Sequence, residues 1–442
     1  MKSVNSAAKA GLAFLAAAAL LVGCTTPAAP QSTNAASSSA DAIAGTVVVA
    51  QLSGTNSEWI ERAAKGFEAE HPGVDIQINA QEYASLIGSA AQIYSSSNAP
   101  DVGFLQSNAA AFSTLAKAGA LEDLSDVWES AGLNSATAKG VKDAWTVDGT
   151  AVGVPTFQVW APVMFYNKDI FKKAGLADID GRVASMDEWS KIVSTLKTAG
   201  IQPLSLGAGG NSALHIVSAL LQVNSTDEQW QNYLVNTNAG STAPAEYATG
   251  PFLSALQTIA KWKSEGTFAS GVAGMTGTQS QALFASGGVA MISDGSWAPA
   301  SLKSQNPDFE IGWFLYPSAV SQSKFQAYTG DGLVVPKTAK NPVAAKAFVQ
   351  YLVSKAGQSE LGNSIPIRTD MDVTTLTQIP SQTQEQLAAM STLGAVPIWS
   401  PSSTVVTAVL ELVPQILTGD VSAEDGAARI QKVVDKARAA SK

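Results

Sequence analysis

Between residues 45 and 125 the chain alternates strand-like and helix-like patterns three times, and no other feature restricts the fold as much. TVVVA (46–50) is a β-branched apolar run, Thr55 and Glu58 stand three apart as a capping box, and Trp59, Ile60, Ala63, Ala64 and Phe67 recur at helical spacing. His71-Pro72-Gly73 ends that helix, VDIQI (74–78) alternates as a second strand, and a second helical stretch runs from about Tyr83 to Ser97. Pro100-Asp101 then introduces the strand DVGFL and a helix that ends at Gly119. A β-α-β-α-β-α order predicts a parallel sheet with right-handed crossovers. Ligands bind at the carboxyl ends of such strands, so the loops Leu52 to Asn56, Asn79 to Tyr83 and Gln106 to Asn108 are expected to share one edge facing a crevice.

The same grammar returns further on. VMFY (163–166) and IQPLSL (201–206) read as strands, Ser185 and Glu188 box a helix start, and GAGGNSALHIVSALL (207–221) opens another helix. EIGWFLYP (310–317) and GLVVPK (332–337) are further strands, followed by the helix NPVAAKAFVQYLVSKAG and helices around 403–418 and 422–440. Two α/β lobes with a cleft between them are expected.

The N-terminus carries Lys2 and Lys9 ahead of an apolar stretch from about Gly11 to Val22, the length of a signal-peptide core and too short for a bilayer span. Leu21-Val22-Gly23-Cys24 is similar to the lipobox of bacterial lipoproteins, which implies acylation at Cys24. Cys24 is the 1 cysteine of the chain, so the folded body is expected to hold no disulfide, cysteine nucleophile or cysteine metal cluster. Residues 24–44 are rich in small polar residues and proline and read as a tether. The net charge of -9 disfavours nucleic acid and anionic lipid as partners.

Catalytic signatures are sparse. Of the 2 histidines, His71 reads as a turn residue and His215 as a core residue of an apolar helix. Ser194-x-x-Lys197 and Ser321-x-x-Lys324 match a serine-lysine pattern without its companion motifs, and GAGGNS (207–212) lacks the third glycine of a dinucleotide fingerprint. That loop instead presents backbone N–H groups at a helix start. No metal and no cofactor are expected.

Several segments, in one order, resemble a known family: APDVGFLQSNAAAF, VMFYNKDIFKKAGL followed by SMDEWSKI, LFASGGVAMISDGSW, GDGLVVPKTAKNPVAAKAFVQYL and ILTGDVSAEDGAARIQ. They resemble the extracellular solute-binding proteins of ABC importers, in the carbohydrate-binding group that includes maltose-binding protein. The resemblance implies a two-lobed periplasmic-binding-protein-like α/β fold joined by a multi-crossing hinge. Crossings are expected near Pro155 to Ala161, Trp297 to Ser304 and Lys337 to Pro342. The expected division is a signal peptide at 1–23, the tether at 24–44, a first lobe of 45–157 plus about 300–340, and a second of 158–299 plus about 341–442. It further implies a monomeric, lipid-anchored receptor at the outer face of the cytoplasmic membrane, without catalysis, that closes by hinge bending and delivers a neutral mono- or oligosaccharide to an ABC permease.

A sugar presents hydroxyl pairs at its rim and C–H groups on its face, so its site needs planar amide, carboxylate or guanidinium groups and aromatic rings. The candidates at the expected edges are Asn56, Glu82, Tyr83, Gln106, Asn108, Gln158, Trp160, Asn211, Trp297, Asp331, Arg368 and Trp399. Trp128, Trp145, Trp189, Trp230, Trp262 and Trp313 are expected to pack inside. Three rivals stand beside this reading: a receptor for a polyamine or metal, a glycan hydrolase using Glu82 and Asp331, and a non-transporting adhesin.

Overall fold

The computed structural model describes residues 43–53, 55–138, 140–235, 246–361, 364–376 and 379–439, the side chains at 55–57, 83–84 and 235 excepted. The expected leader, the lipobox at Cys24 and the tether up to residue 42 lie outside the described residues, as do the side chains of the Thr55 cap, Asn56 and Tyr83.

The first lobe is built on a five-stranded sheet in the order Val74–Gln81, Gly45–Leu52, Val102–Gln106, Asp331–Val334, Val154–Pro155. Its first three strands are parallel, as the alternation requires, and helices Thr55–Glu70 and Tyr83–Tyr94 make the crossovers. Helix Thr55–Glu70 buries the expected stripe of Trp59, Ile60, Ala63, Ala64 and Phe67 in the core of this lobe.

The second lobe holds another five-stranded sheet, Leu204–Leu206, Met291–Asp294, Val163–Asn167, Ile311–Leu315, Gly181–Arg182. Helices Met186–Thr198, Ser212–Val223, Gly250–Ser264, Ser403–Thr418 and Ala423–Ala439 supply its apolar core. Helix Met186–Thr198 starts as the sequence indicates: the Ser185 hydroxyl accepts from Glu188 N at 3.2 Å, while the Glu188 carboxylate accepts from Ala184 N rather than from the cap residue itself.

A third sheet joins the two. Its strands are Ile365–Pro366, Phe157–Trp160, Phe325–Tyr328 and Ala395–Pro397, each taken from a stretch of chain running between or alongside the lobes. The first crossing falls at Pro155 to Val163, where the sequence places it. The other two do not. Segment Trp297 to Ser304 is no return: helix Ala298–Ser304 buries Ala298 and Leu302 beside Val163 and Leu315, and strand Ile311–Leu315 pairs with Val163–Asn167 in the second-lobe sheet. The chain comes back through Phe325–Tyr328 to Asp331–Val334. Nor does it leave again at Lys337 to Pro342, because helix Pro342–Leu352 packs Ala344, Ala345, Phe348 and Val349 into the first-lobe core. The third crossing lies beyond Leu361, through Ile365–Pro366, toward helix Ser381–Leu393.

Residues 300–315, expected in the first lobe, therefore lie with the second, 325–328 lie in the joining sheet, and 341–361, expected in the second lobe, lie with the first. The physical reason is ring packing: Phe348 and Tyr351 of helix Pro342–Leu352 sit 5.2 and 5.5 Å from Phe67 of helix Thr55–Glu70. Phe348→Ala should cost about 3–5 kcal/mol by removing a fully buried ring from the first-lobe core. Chemical denaturation followed by tryptophan fluorescence checks this; a loss below about 1 kcal/mol would move the helix out of that core.

Candidate functional site

The carboxyl ends of the first-lobe strands converge as expected. Ser53 Oγ donates to Glu82 Oε1 at 3.2 Å, bringing the loop after the first strand to the loop after the second. Glu82 itself is exposed and makes no capping bond to helix Tyr83–Tyr94. Gln106 ends its strand opposite Asp331 in the antiparallel register, and Gln106 Nε2 donates to Asp331 Oδ1 at 2.8 Å. Burial pushes the Asp331 carboxyl up to about 6, and the Gln106 bond opposes that shift.

Asn108, half-buried, accepts from the Tyr328 hydroxyl at 2.9 Å and donates to Ser400 Oγ at 2.5 Å. Gln158 is half-buried on the joining sheet opposite Ile365. Asn211 occupies the N-cap position of helix Ser212–Val223 without a side-chain capping bond. One turn along that helix, His215 stands with its ring centroid 5.8 Å from that of Trp297, tilted by 53°. Burial brings the His215 imidazole down to about 4, so it is neutral at pH 7.

Trp297 follows the second-lobe strand Met291–Asp294 yet packs, half-buried, against the apolar cluster of the first lobe. Its ring folds back over its own turn: a Cβ at Gly295 would fall 2.2 Å from the indole, so only glycine fits there. Its side chain hydrogen-bonds the buried Asp294 carboxyl, which also accepts from Gln281 Nε2 and Gly295 N at 2.8 and 2.9 Å. Desolvation nevertheless raises Asp294 to about 6.

Three expected contacts are internal instead. Trp160 is 1% exposed and donates its indole N–H to Gln386 Oε1 at 2.6 Å, against the edge of Phe325. Trp399 is fully buried among Tyr247 and Phe252. Arg368 makes a two-pronged pair with Asp370, at 2.9 Å on both oxygens, and donates to the carbonyls of Ala131 at 2.8 Å and Val353 at 3.2 Å. All its donors point into the first lobe, and the pair holds Asp370 down at about 2. Trp313, expected inside, is half-exposed and donates to Glu385 at 3.1 Å. It lines a hollow of about 630 Å³ with Tyr166, Lys303 and Phe309, at the end of strand Val163–Asn167 away from the first crossing.

The sequence reading left out Asp294, His215, Tyr328 and Ser400, all of which touch the candidates named above. Only Asp294, three residues before Trp297, had a local cue. The serine-lysine matches do not form pairs: Ser321 Oγ bonds Gln222, and Lys324 Nζ bonds Asp227 at 3.1 Å. Among the described residues no group of three or more His, Cys, Asp or Glu is placed to hold a metal ion.

A carboxyl with a raised pKa binds its proton more tightly in the folded state, so Asp294 and Asp331 favour folding at low pH, and that contribution is lost between about 3.8 and about 6. Asp294→Asn with Asp331→Asn should flatten the melting temperature across that window, as scanning calorimetry at stepped pH would show. Arg368→Ala should cost at least about 2 kcal/mol, by orphaning two carbonyls, and leave ligand affinity unchanged.

The profile of the bacterial extracellular solute-binding protein family matches residues 51–359. The chain is 23% identical over 332 residues to the xylose/arabinose-binding protein XacG of Haloferax volcanii, covering 73% of this chain and 69% of that one. It is 26% identical over 392 residues to a maltooligosaccharide ABC transporter solute-binding lipoprotein of Streptococcus pneumoniae, covering 84% and 82%. Among solved structures, a chitin oligosaccharide binding protein superposes with a TM-score of 0.74 at 22% identity, over 90% of this chain and 99% of the other. A maltose-bound MalE3 of T. maritima gives 0.73 at 17%, over 88% and 99%. The two-lobed architecture and the family profile agree, and the chain belongs to the bacterial extracellular solute-binding proteins.

Proposed function

We propose that this protein captures a neutral mono- or oligosaccharide between its lobes and delivers it to an ABC permease, held at the outer face of the cytoplasmic membrane by a lipid on Cys24 and doing no chemistry of its own. The observation that carries the reading is Trp297, whose backbone belongs to the second lobe while its indole packs against the first. An aromatic face at that junction offers a platform for the C–H face of a sugar ring. Rim-binding groups of the kind a sugar needs are offered by the amides of Gln106, Asn211 and Gln158 and the carboxyls of Asp331 and Glu82, with Asn56 and Tyr83 following the first two strands in sequence. Sugar names on the relatives, xylose/arabinose and maltooligosaccharide, support the same class.

Asp331 is hydrogen-bonded to Gln106 and Glu82 to Ser53, which favours binding roles for both over an acid and base pair. The test is a thermal-shift series with pentoses, maltooligosaccharides and chitooligosaccharides. A ligand bound only by the folded state raises the melting temperature by mass action. At least one sugar should do so saturably, and Trp297→Ala should abolish the shift without lowering the ligand-free melting temperature by more than a few degrees. No response to any sugar beside a response to spermidine or a metal ion would refute the carbohydrate reading. Release of chromophore from a nitrophenyl glycoside, lost in Asp331→Asn, would refute the absence of catalysis.

A further inference from the structure

One hydrogen-bonded chain ties the lobes together without any charged group. Asn108 lies two residues past the first-lobe strand Val102–Gln106. Ser400 lies between the joining strand Ala395–Pro397 and helix Ser403–Thr418, whose Val405, Val409, Leu412 and Val413 are buried in the second-lobe core. The bond from Asn108 Nδ2 to Ser400 Oγ, 2.5 Å long, therefore joins residues 292 apart in sequence and on opposite sides of the hinge. Tyr328, on the joining strand Phe325–Tyr328, fills the other end of the same amide by donating to Asn108 Oδ1 at 2.9 Å.

Both ends of this chain are fixed by the backbone. Ser107 N donates to Gly330 O at 2.8 Å, which holds the Asn108 loop to the segment entering the first lobe. Ile398 N donates to Ala327 O at 2.9 Å, and Trp399 N donates to Ser218 Oγ at 3.2 Å, which hold the Ser400 segment to the joining strand and to the second-lobe helix Ser212–Val223. Between the two anchor points on the joining segment, Ala327 and Gly330, lie only Tyr328 and Thr329. Rotation of one lobe against the other about this short stretch pulls Asn108 away from Ser400.

We propose that Asn108, Tyr328 and Ser400 form a latch that stabilises the arrangement of the lobes in this structure, and that Asn108 is a positioning residue rather than a sugar contact. The proposal rests on the sugar-receptor reading only in linking closure to ligand capture. A bond made in one arrangement of the lobes alone multiplies the ratio of that arrangement to the other, and the apparent affinity of a ligand that requires one of the two changes by up to the same factor. For an uncharged hydrogen bond that factor is a few-fold to about tenfold. Because the partners are an amide and two hydroxyls, the latch is also insensitive to salt.

The test compares the wild type with Ser400→Ala, Ser400→Thr, Asn108→Ala and the double alanine variant, each first checked for an unchanged melting profile. Small-angle scattering of the ligand-free proteins should show a radius of gyration changed from the wild type in Ser400→Ala and a wild-type value for Ser400→Thr, which keeps the hydroxyl. Titration with maltotriose, xylobiose and chitobiose should show the affinities of Ser400→Ala and Asn108→Ala each shifted in the same direction by a few-fold to about tenfold, with the double variant shifted no further than either. An unchanged radius of gyration in Ser400→Ala overturns the latch. So does a far larger affinity loss in Asn108→Ala than in Ser400→Ala with additive losses in the double, which would make Asn108 a ligand contact. If none of the three sugars binds the wild type, the receptor reading fails for them, while the scattering comparison still decides the latch.

Discussion

Four residues, Asp331–Val334, hydrogen-bonded antiparallel to Val102–Gln106, hold the molecule in its two-lobed form. They bring the chain back into a lobe that it left at Pro155, and they set Asp331 directly across from Gln106. The strand also fixes the joining sheet, because Phe325–Tyr328 immediately precedes it and pairs with Phe157–Trp160 on the outward path. Two antiparallel passes side by side make a hinge whose axis is defined by backbone hydrogen bonds, while the side chains at its borders are left to meet a ligand or each other.

The polar groups at the lobe junction divide by chemistry. Asp294 and Asp331 are carboxyls taken out of water, each partly compensated by a glutamine amide and each poised to hold a proton near pH 6. Asn108, Tyr328 and Ser400 are uncharged and satisfy one another. The first group makes the junction responsive to protons, and the second gives it mechanical continuity.

The first half of the fold was readable because it is local: each strand of the β-α-β-α-β-α run pairs with a neighbour in the same run, and hydrophobic periodicity reports that directly. The later crossings were not readable, since Ile311–Leu315 and Asp331–Val334 carry the same apolar signature and differ only in which distant strand receives them. The candidate site shows the same division. Gln106 was named from a strand end and Asp331 from Gly-Asp-Gly ahead of a strand, but Trp160 was misplaced because its partner Gln386 arrives from 226 residues away. Arg368 had its acid two residues off in plain view, yet the carbonyls of Ala131 and Val353 that claim its remaining donors carry no sequence signal. His215 looked apolar from its helix and proves to be the neighbour of Trp297.

The first-lobe sheet receives its Asp331–Val334 strand late in synthesis, and the core beside Phe67 receives Phe348 later still. A growing chain thus makes its opening βαβ units early but has no partner for their exposed edge until most of the protein exists. The same long-range pairing that defines the hinge therefore completes the fold last.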